Sequence, residues 1–261
     1  MRDAATALLG TVALLLFWQV AVDALAVSPI LLPSPARVGA VFASDQALLV
    51  LNNTLPTAIQ ALSGFAAATL LGILLALGMG YSETFRLTLS PYLIAFQVIP
   101  KIALAPLFVL WLGIGFSSRF AFAVFMCFFP IVIALSTGLL EAPPDAVRMC
   151  AAFGGSKAQI FRHIRFPFAL GYLFAGLKIA ATMSIIGVVV GEFITADRGL
   201  GYLILWASSR SDTPLVIAAI LVWEHAIVKP SDLSRLDMAF FNLNGYVSVA
   251  FFVATLLDVL V

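Results

Sequence analysis

Residues 145–167 read DAVRMCAAFGGSKAQIFRHIRFP. They form the longest polar, basic segment of the chain, set between two strongly apolar blocks. The cations are Arg148, Lys157, Arg162 and Arg165, with His163 able to join them. Helical spacing predicts Ala151, Gly154, Ala158 and Phe161 along one stripe, because i, i+3 and i+4 neighbours share a face. Gly154 and Gly155 leave room for close backbone approach and a bend. Pro167 is expected among the first residues of a long apolar helix, where its missing N–H costs least. The expected object is a short helix held at a membrane surface, presenting small residues to something outside the membrane.

The flanking blocks set the class. Of 261 residues, 62% are hydrophobic and 10% are charged, whereas soluble chains are about half apolar and a quarter charged. A soluble chain of this length would need a core larger than its surface allows. A membrane-spanning helix needs about 20 apolar residues, so the length accommodates about six spans with short loops. The fold class expected is therefore all-α, a polytopic membrane bundle forming a single domain over 1–261. The net charge of +1 points to no acidic partner. Cys127 and Cys150 suggest neither a disulfide framework nor a metal site.

Outward from the centre, residues 4–27 follow Arg2 as a first apolar run. Ala24-Leu25-Ala26 loosely resembles a signal-peptidase site, but the run is longer than a signal core and is expected to stay as a span. Residues 28–53 are expected as a loop with a short amphipathic piece. The run 55–81 carries Gly64, Gly72, Gly78 and Gly80, small residues that let helices approach closely in lipid. Residues 90–112 contain Pro91, Pro100 and Pro106, so a kinked or broken helix is expected. Broken backbone at membrane depth is tolerated only where protein or a watery cavity satisfies it. Lys101 sits near the middle of this run and should face the bundle interior, a partner or water. It lines or gates a pathway, or it pairs with Glu192 and fixes packing. Residues 118–140 make another span, flanked by Arg119. The run 167–195 holds Lys178 and Glu192. Glu192 lines a route, pairs with Lys101 or Lys178, or is an acid at a helix end. Residues 213–228 are expected as a packed or partial helix, 229–235 as a polar insert, and about 240–260 as the last membrane helix, so that 224–261 form an atypical tail.

Charge gives an orientation. Short cytoplasmic loops carry excess Lys and Arg. The 141–166 loop holds four, against Arg37 alone between the first two runs. That places 141–166 inside, and counting spans back places the N-terminus inside too.

Three separated motifs carry a family resemblance. Gly154 is followed by nine residues and then Ile164-Arg165-Phe166-Pro167. This is similar to the coupling loop of permease subunits of ATP-binding-cassette (ABC) importers, which reads E-A-A, three residues, G, nine residues, I-x-L-P. Arg148-Met149-Cys150 occupies the E-A-A positions, so the acid is replaced by a cation. Leu32-Pro33-Ser34-Pro35-Ala36-Arg37-Val38 and the stretch Ile99 to Leu107 resemble permeases for sulfonates, taurine, nitrate and pyrimidine precursors, and Glu192 stands before Gly199-Leu200-Gly201-Tyr202 as an acid does there. The resemblance covers roughly residues 28–212. It implies a type I ABC importer permease (MetI-like) bundle in the inner membrane of a bacterial cell, a homodimer with a separate ATPase that binds the ATP and an extracytoplasmic solute-binding protein. It implies ATPase-coupling residues at Arg148, Gly154, Ser156, Lys157 and Pro167, and translocation-pathway residues at Pro100, Lys101, Pro106 and Glu192.

Other chemistries lack their residues. The chain has no G-x-x-x-x-G-K-[ST] loop for a nucleotide, no H-E-x-x-H pair and no G-x-S-x-G turn. No cofactor, metal or nucleic-acid site is expected. A different function class, a stand-alone channel or ion-coupled secondary transporter, would use Lys101, Lys178 and Glu192 as its path, but it has no need of a docking helix with the spacing of 145–167. An intramembrane enzyme lacks a nucleophile or metal set.

Overall fold

Apolar runs in lipid close their backbone hydrogen bonds within helices. The computed structural model is helical throughout its ordered elements, and it describes residues 2–195 and 197–227. Met1–Trp223 forms one compact unit. The helices are α1 (Arg2–Ala24), α2 (Pro35–Phe42), α3 (Gln46–Tyr81), α4 (Glu83–Val98), α5 (Ala105–Leu112), α6 (Phe116–Leu140), α7 (Pro144–Ala152), α8 (Lys157–Ile160), α9 (Phe166–Thr195), α10 (Leu200–Ser209) and α11 (Thr213–Ile227).

Among the described residues, three helices are long and apolar enough to cross a membrane: α3, α6, and the continuous helix Lys157–Ile194 that joins α8 to α9. A fourth exists if α4 and α5, bent by 91° at a short break, count as one span. Against the expected count of about six, the described residues hold three or four full-length spans, with shorter apolar helices at Leu9–Ala24, Leu200–Ser209 and Thr213–Trp223. The partial helix expected at 213–228 is α11, 15 residues long. The expected polar insert at 229–235 and last helix at 240–260 lie outside the described residues. The second span starts earlier than its apolar run: α3 begins at Gln46 and carries Pro56 inside it, which shortens the predicted 28–53 loop.

The core is α3, α6 and α9, packed through small residues. A Cβ on Gly64 would come within 2.8 Å of the Ala123 Cβ, and one on Gly72 within 2.9 Å of Ile131 Cγ2. On α9, Gly176 and Gly187 meet Ala134 and Ala123 in the same way. Close backbone approach is the main source of helix attraction where lipid is as apolar as the side chains. Overpacking such a contact costs about 1–3 kcal/mol. Gly72→Ala is therefore expected to lower the thermal unfolding midpoint in detergent, and its combination with Ile131→Ala, a buried neighbour, is expected to cost less than the sum of the two single losses.

The ends of the bundle are distinct. The α3 residues Gly80 and Tyr81 lie against Leu139 of α6 and against Phe161. At the other end, Gly199 N–H donates to Asn53 Oδ1 of α3, and Arg119 of α6 donates to the Arg198 carbonyl. So α3 and α6 run parallel, their contacts advancing together from Gly64–Ala123 through Gly72–Ile131 to Gly80–Leu139, and the bent pair α4–α5 carries the chain back from one end to the other. Its break is at Ile99-Pro100, where the backbone is extended. Of the three prolines expected to kink this run, only Pro100 stands at the break. Pro91 lies inside α4, and Pro106 opens α5, where no N–H is needed.

Candidate functional site

The polar segment builds one candidate site. Pro143 and Pro144 start α7, and Asp145 in its first turn complements the helix dipole. The helix ends in a Schellman motif: Gly154 N–H donates to the Ala151 carbonyl, and Gly155 N–H to the Cys150 carbonyl at 2.9 Å. Gly154 sits at φ +80°, in the left-handed region that favours glycine. A Cβ on Gly155 would press on Cys150 Sγ and its carbonyl. The chain restarts at Ser156 with a capping box: the Ser156 hydroxyl accepts from Gln159 N–H, and Gln159 Oε1 accepts from Ser156 N–H at 2.7 Å. Residues 144–160 contain no buried residue, and Phe153 at the tip is 87% exposed.

The expected stripe is corrected by this geometry. Ala151 lies on α7 and Ala158 on α8, so Ala151, Gly154, Ala158 and Phe161 do not share one helical face. The left-handed turn at Gly154 breaks the helix. Pro167 is corrected too. It is the second residue of α9, but the helix does not restart there; it runs back to Lys157. A proline inside a helix removes one donor and crowds the carbonyl four residues back. Phe161–Arg165 absorbs this as a π turn, with Phe166 N–H donating to the Phe161 carbonyl.

A buried polar centre lies at the opposite end. Glu192 is 1% exposed. Its Oε1 accepts from the Thr57 hydroxyl at 2.7 Å, and its Oε2 from Gly201 N–H at 2.8 Å. Thr57 Oγ1 also accepts from Leu200 N–H at 2.9 Å, and Asn53 Oδ1 from Gly199 N–H at 2.8 Å. Three successive backbone donors at the start of α10 are thus satisfied by side chains of α3 and α9. A carboxylate there is also favoured by the helix dipole. Gly199 has φ +116°, and a Cβ on it would run into the Glu192 carboxyl group. Arg119, 4% exposed, brings positive charge to the same cluster, with Nε on the Gly115 carbonyl at 3.0 Å.

The broken helix makes the third feature. Lys101 opens a short 3-10 turn, and its Nζ lies 5.0 Å from the centre of the Phe129 ring. Phe129 belongs to an aromatic run with Phe96, Phe125 and Phe128. Ring faces attract a cation without a counter-charge. Pro100 and Pro106 are exposed.

Residues 68–257 match the family described as binding-protein-dependent transport system inner membrane component. The chain belongs to this family. It is a permease component of an ABC transport system and a multi-pass inner-membrane protein. It is 36% identical over 210 residues to a riboflavin transport system permease protein of Chloroflexus aurantiacus, covering 79% of this chain and 78% of the relative. It is 34% identical to a formylaminopyrimidine transport permease protein of Halalkalibacterium halodurans, with 80% and 83% covered. It is 30% identical to the taurine transport system permease protein of Escherichia coli, with 82% and 80% covered.

The residues read from the sequence fall into separate places in the permease. Arg148, Gly154, Ser156 and Lys157 gather on the exposed turn, with Pro167 ten residues along the next helix. Glu192 is 35 residues beyond Lys157 on the same helix, about 50 Å away at 1.5 Å per residue. The pairing expected between Glu192 and Lys101 is not formed: both carboxylate oxygens are taken by Thr57 and Gly201, and Lys101 rests on Phe129. Pairing with Lys178 is excluded by reach, since 14 residues along α9 span about 21 Å. Sequence reading missed Asn53, Thr57 and Phe153, and saw Arg119 only as a flank. The signal for the first two was present: two polar residues four apart, at the head of an apolar helix, matching a glycine doublet that follows the acid.

Proposed function

We propose that this permease works as a homodimer with two copies of a separate P-loop ATPase and an extracytoplasmic solute-binding protein, and that it imports a small solute. The observation that carries the reading is the exposed turn 144–160, continuous with a 38-residue helix that reaches the buried centre at the other end. Segments 144–152 and 157–160 dock in a groove of the ATPase, a helix-in-groove contact, with Arg148, Gly154, Ser156 and Lys157 at the contact. ATP is bound by the partner. The 141–166 segment and the N-terminus face the cytoplasm.

Pro100, Lys101 and Pro106 on the broken helix line the route. Glu192 holds one wall of it through α10 rather than meeting the solute. The relatives carry riboflavin, formylaminopyrimidine and taurine in their names. The imported solute is a small one: a sulfonate, nitrate or a thiamine-precursor pyrimidine. Lys101→Met is expected to leave assembly and thermal stability near wild type, within about 1 kcal/mol for an exchange of one ring contact, while changing the rate at which growth depends on the imported solute. Affinity purification from the native membrane tests the assembly. Recovery of a P-loop ATPase and a binding protein supports it. A solitary protein that transports without ATP would favour the stand-alone carrier instead.

A further inference from the structure

The displacement of a docked segment must reach the spans through some contact, and few are on offer. Helix α7 has no buried residue, with Ala146, Val147 and Cys150 only half-buried. The π turn Phe161–Arg165 is different. The Phe161 ring meets Tyr81 edge-on, with centroids 5.9 Å apart, and packs with the α3–α6–α9 core. A Cβ on Gly80 would stand 3.2 Å from Phe161 Cε2 and 2.6 Å from Leu139 Cδ1. Gly80 is therefore the seat that lets the ring, the α3 end and the α6 end meet. Arg165 Nη1 closes the group by donating to the Gly80 carbonyl at 3.5 Å.

We propose that the π turn, seated on Gly80, is the joint through which the exposed turn drives α3 and α6, with Phe161, Gly80 and Arg165 as positioning residues. The inference rests on the ABC reading above. A π turn holds one residue more than an α turn and is frequent at functional sites. Its conversion to α geometry rotates everything upstream by about 100° and shifts it by about 1.5 Å, the step of one residue. That is a discrete change in a packed contact, the kind that passes between elements without continuous deformation. Docking on α7 and α8 shifts this turn, and Phe161 then pushes on Gly80–Tyr81 and Leu139 together.

The test is hydrogen–deuterium exchange on the complex purified from native membrane, compared without nucleotide and after trapping with ATP and vanadate. Wild type is expected to show nucleotide-dependent exchange at 144–160 and also at the far starts of α3 and α6, residues 46–60 and 116–122. In Phe161→Leu and in Gly80→Ala, the change at 144–160 persists while the change at 46–60 and 116–122 falls by about threefold or more, a usual size for loss of one coupling contact. A merely structural defect would weaken both regions in parallel and would overturn the proposal. Full wild-type changes at 46–60 and 116–122 in both variants would overturn it as well. Phe161→Met, which keeps the apolar volume but loses the ring edge, gives the same readout if a harsher variant fails to assemble. Absence of any nucleotide effect at 144–160 in wild type would instead count against the docking of this turn on the ATPase proposed above.

Discussion

Glu192→Ala is expected to destabilise the permease by roughly 2–5 kcal/mol, because it strips a buried acceptor from two hydrogen-bond donors and leaves them unsatisfied. Gly201 N–H and the Thr57 hydroxyl each lose an acceptor inside a site that is closed to water. The loss is read as the thermal unfolding midpoint in detergent and as the amount of protein recovered from the membrane. Glu192→Gln keeps one acceptor oxygen and is expected to lose much less. Gly199→Ala should resemble Glu192→Ala, since it combines a left-handed backbone with a side chain driven into the carboxyl group. A Glu192→Ala protein that melts like wild type but no longer supports solute-dependent growth would contradict this. It would return Glu192 to the route itself.

Phe153→Ala is expected to weaken recovery of the ATPase about 30-fold or more while leaving insertion and melting unchanged. A large aromatic ring at the centre of a contact is a common hot spot, worth about 2 kcal/mol or more when truncated. At 87% exposure the ring makes little contact within this chain, so its removal has almost nothing to destabilise. Gly154→Val should give the same phenotype by another route. No atom lies within 4 Å of its Cβ position, so the substitution is not crowded. It forces a β-branched residue to φ +80°, which costs about 1–2 kcal/mol and re-aims the turn. Both variants should insert normally and lose the partner. Wild-type ATPase recovery with Phe153→Ala would remove the ring from the contact.

The distribution of charge and apolar runs made the helical membrane class and most span positions legible. The break at Pro100 was legible because a proline in an apolar run forfeits a donor that lipid cannot replace. The role of Glu192 was not. Its partner Thr57 lies 135 residues away in the chain, Asn53 lies 146 residues from Gly199, and a single sequence holds no record of which distant polar residues meet. The turn at Gly154 was half legible: a glycine pair suggested a bend, but the helical stripe drawn through it assumed that the helix continued. The π turn before Pro167 had a visible cause, since the proline needs the backbone four residues earlier to give way. Helix periodicity alone does not say whether the chain breaks or widens its turn. Phe153 was passed over because an apolar side chain is read as core until exposure shows otherwise.

The most direct test of the central claim places a photo-cross-linking amino acid at position 153, and separately at the exposed position 110 of the broken helix, in native membranes. If the exposed turn is the docking element, illumination links position 153 to a P-loop ATPase, and position 110 gives no such product. An ATPase adduct from position 110 but none from position 153, or no protein adduct from 153 at all, would contradict the claim that this exposed turn is where the permease meets its motor.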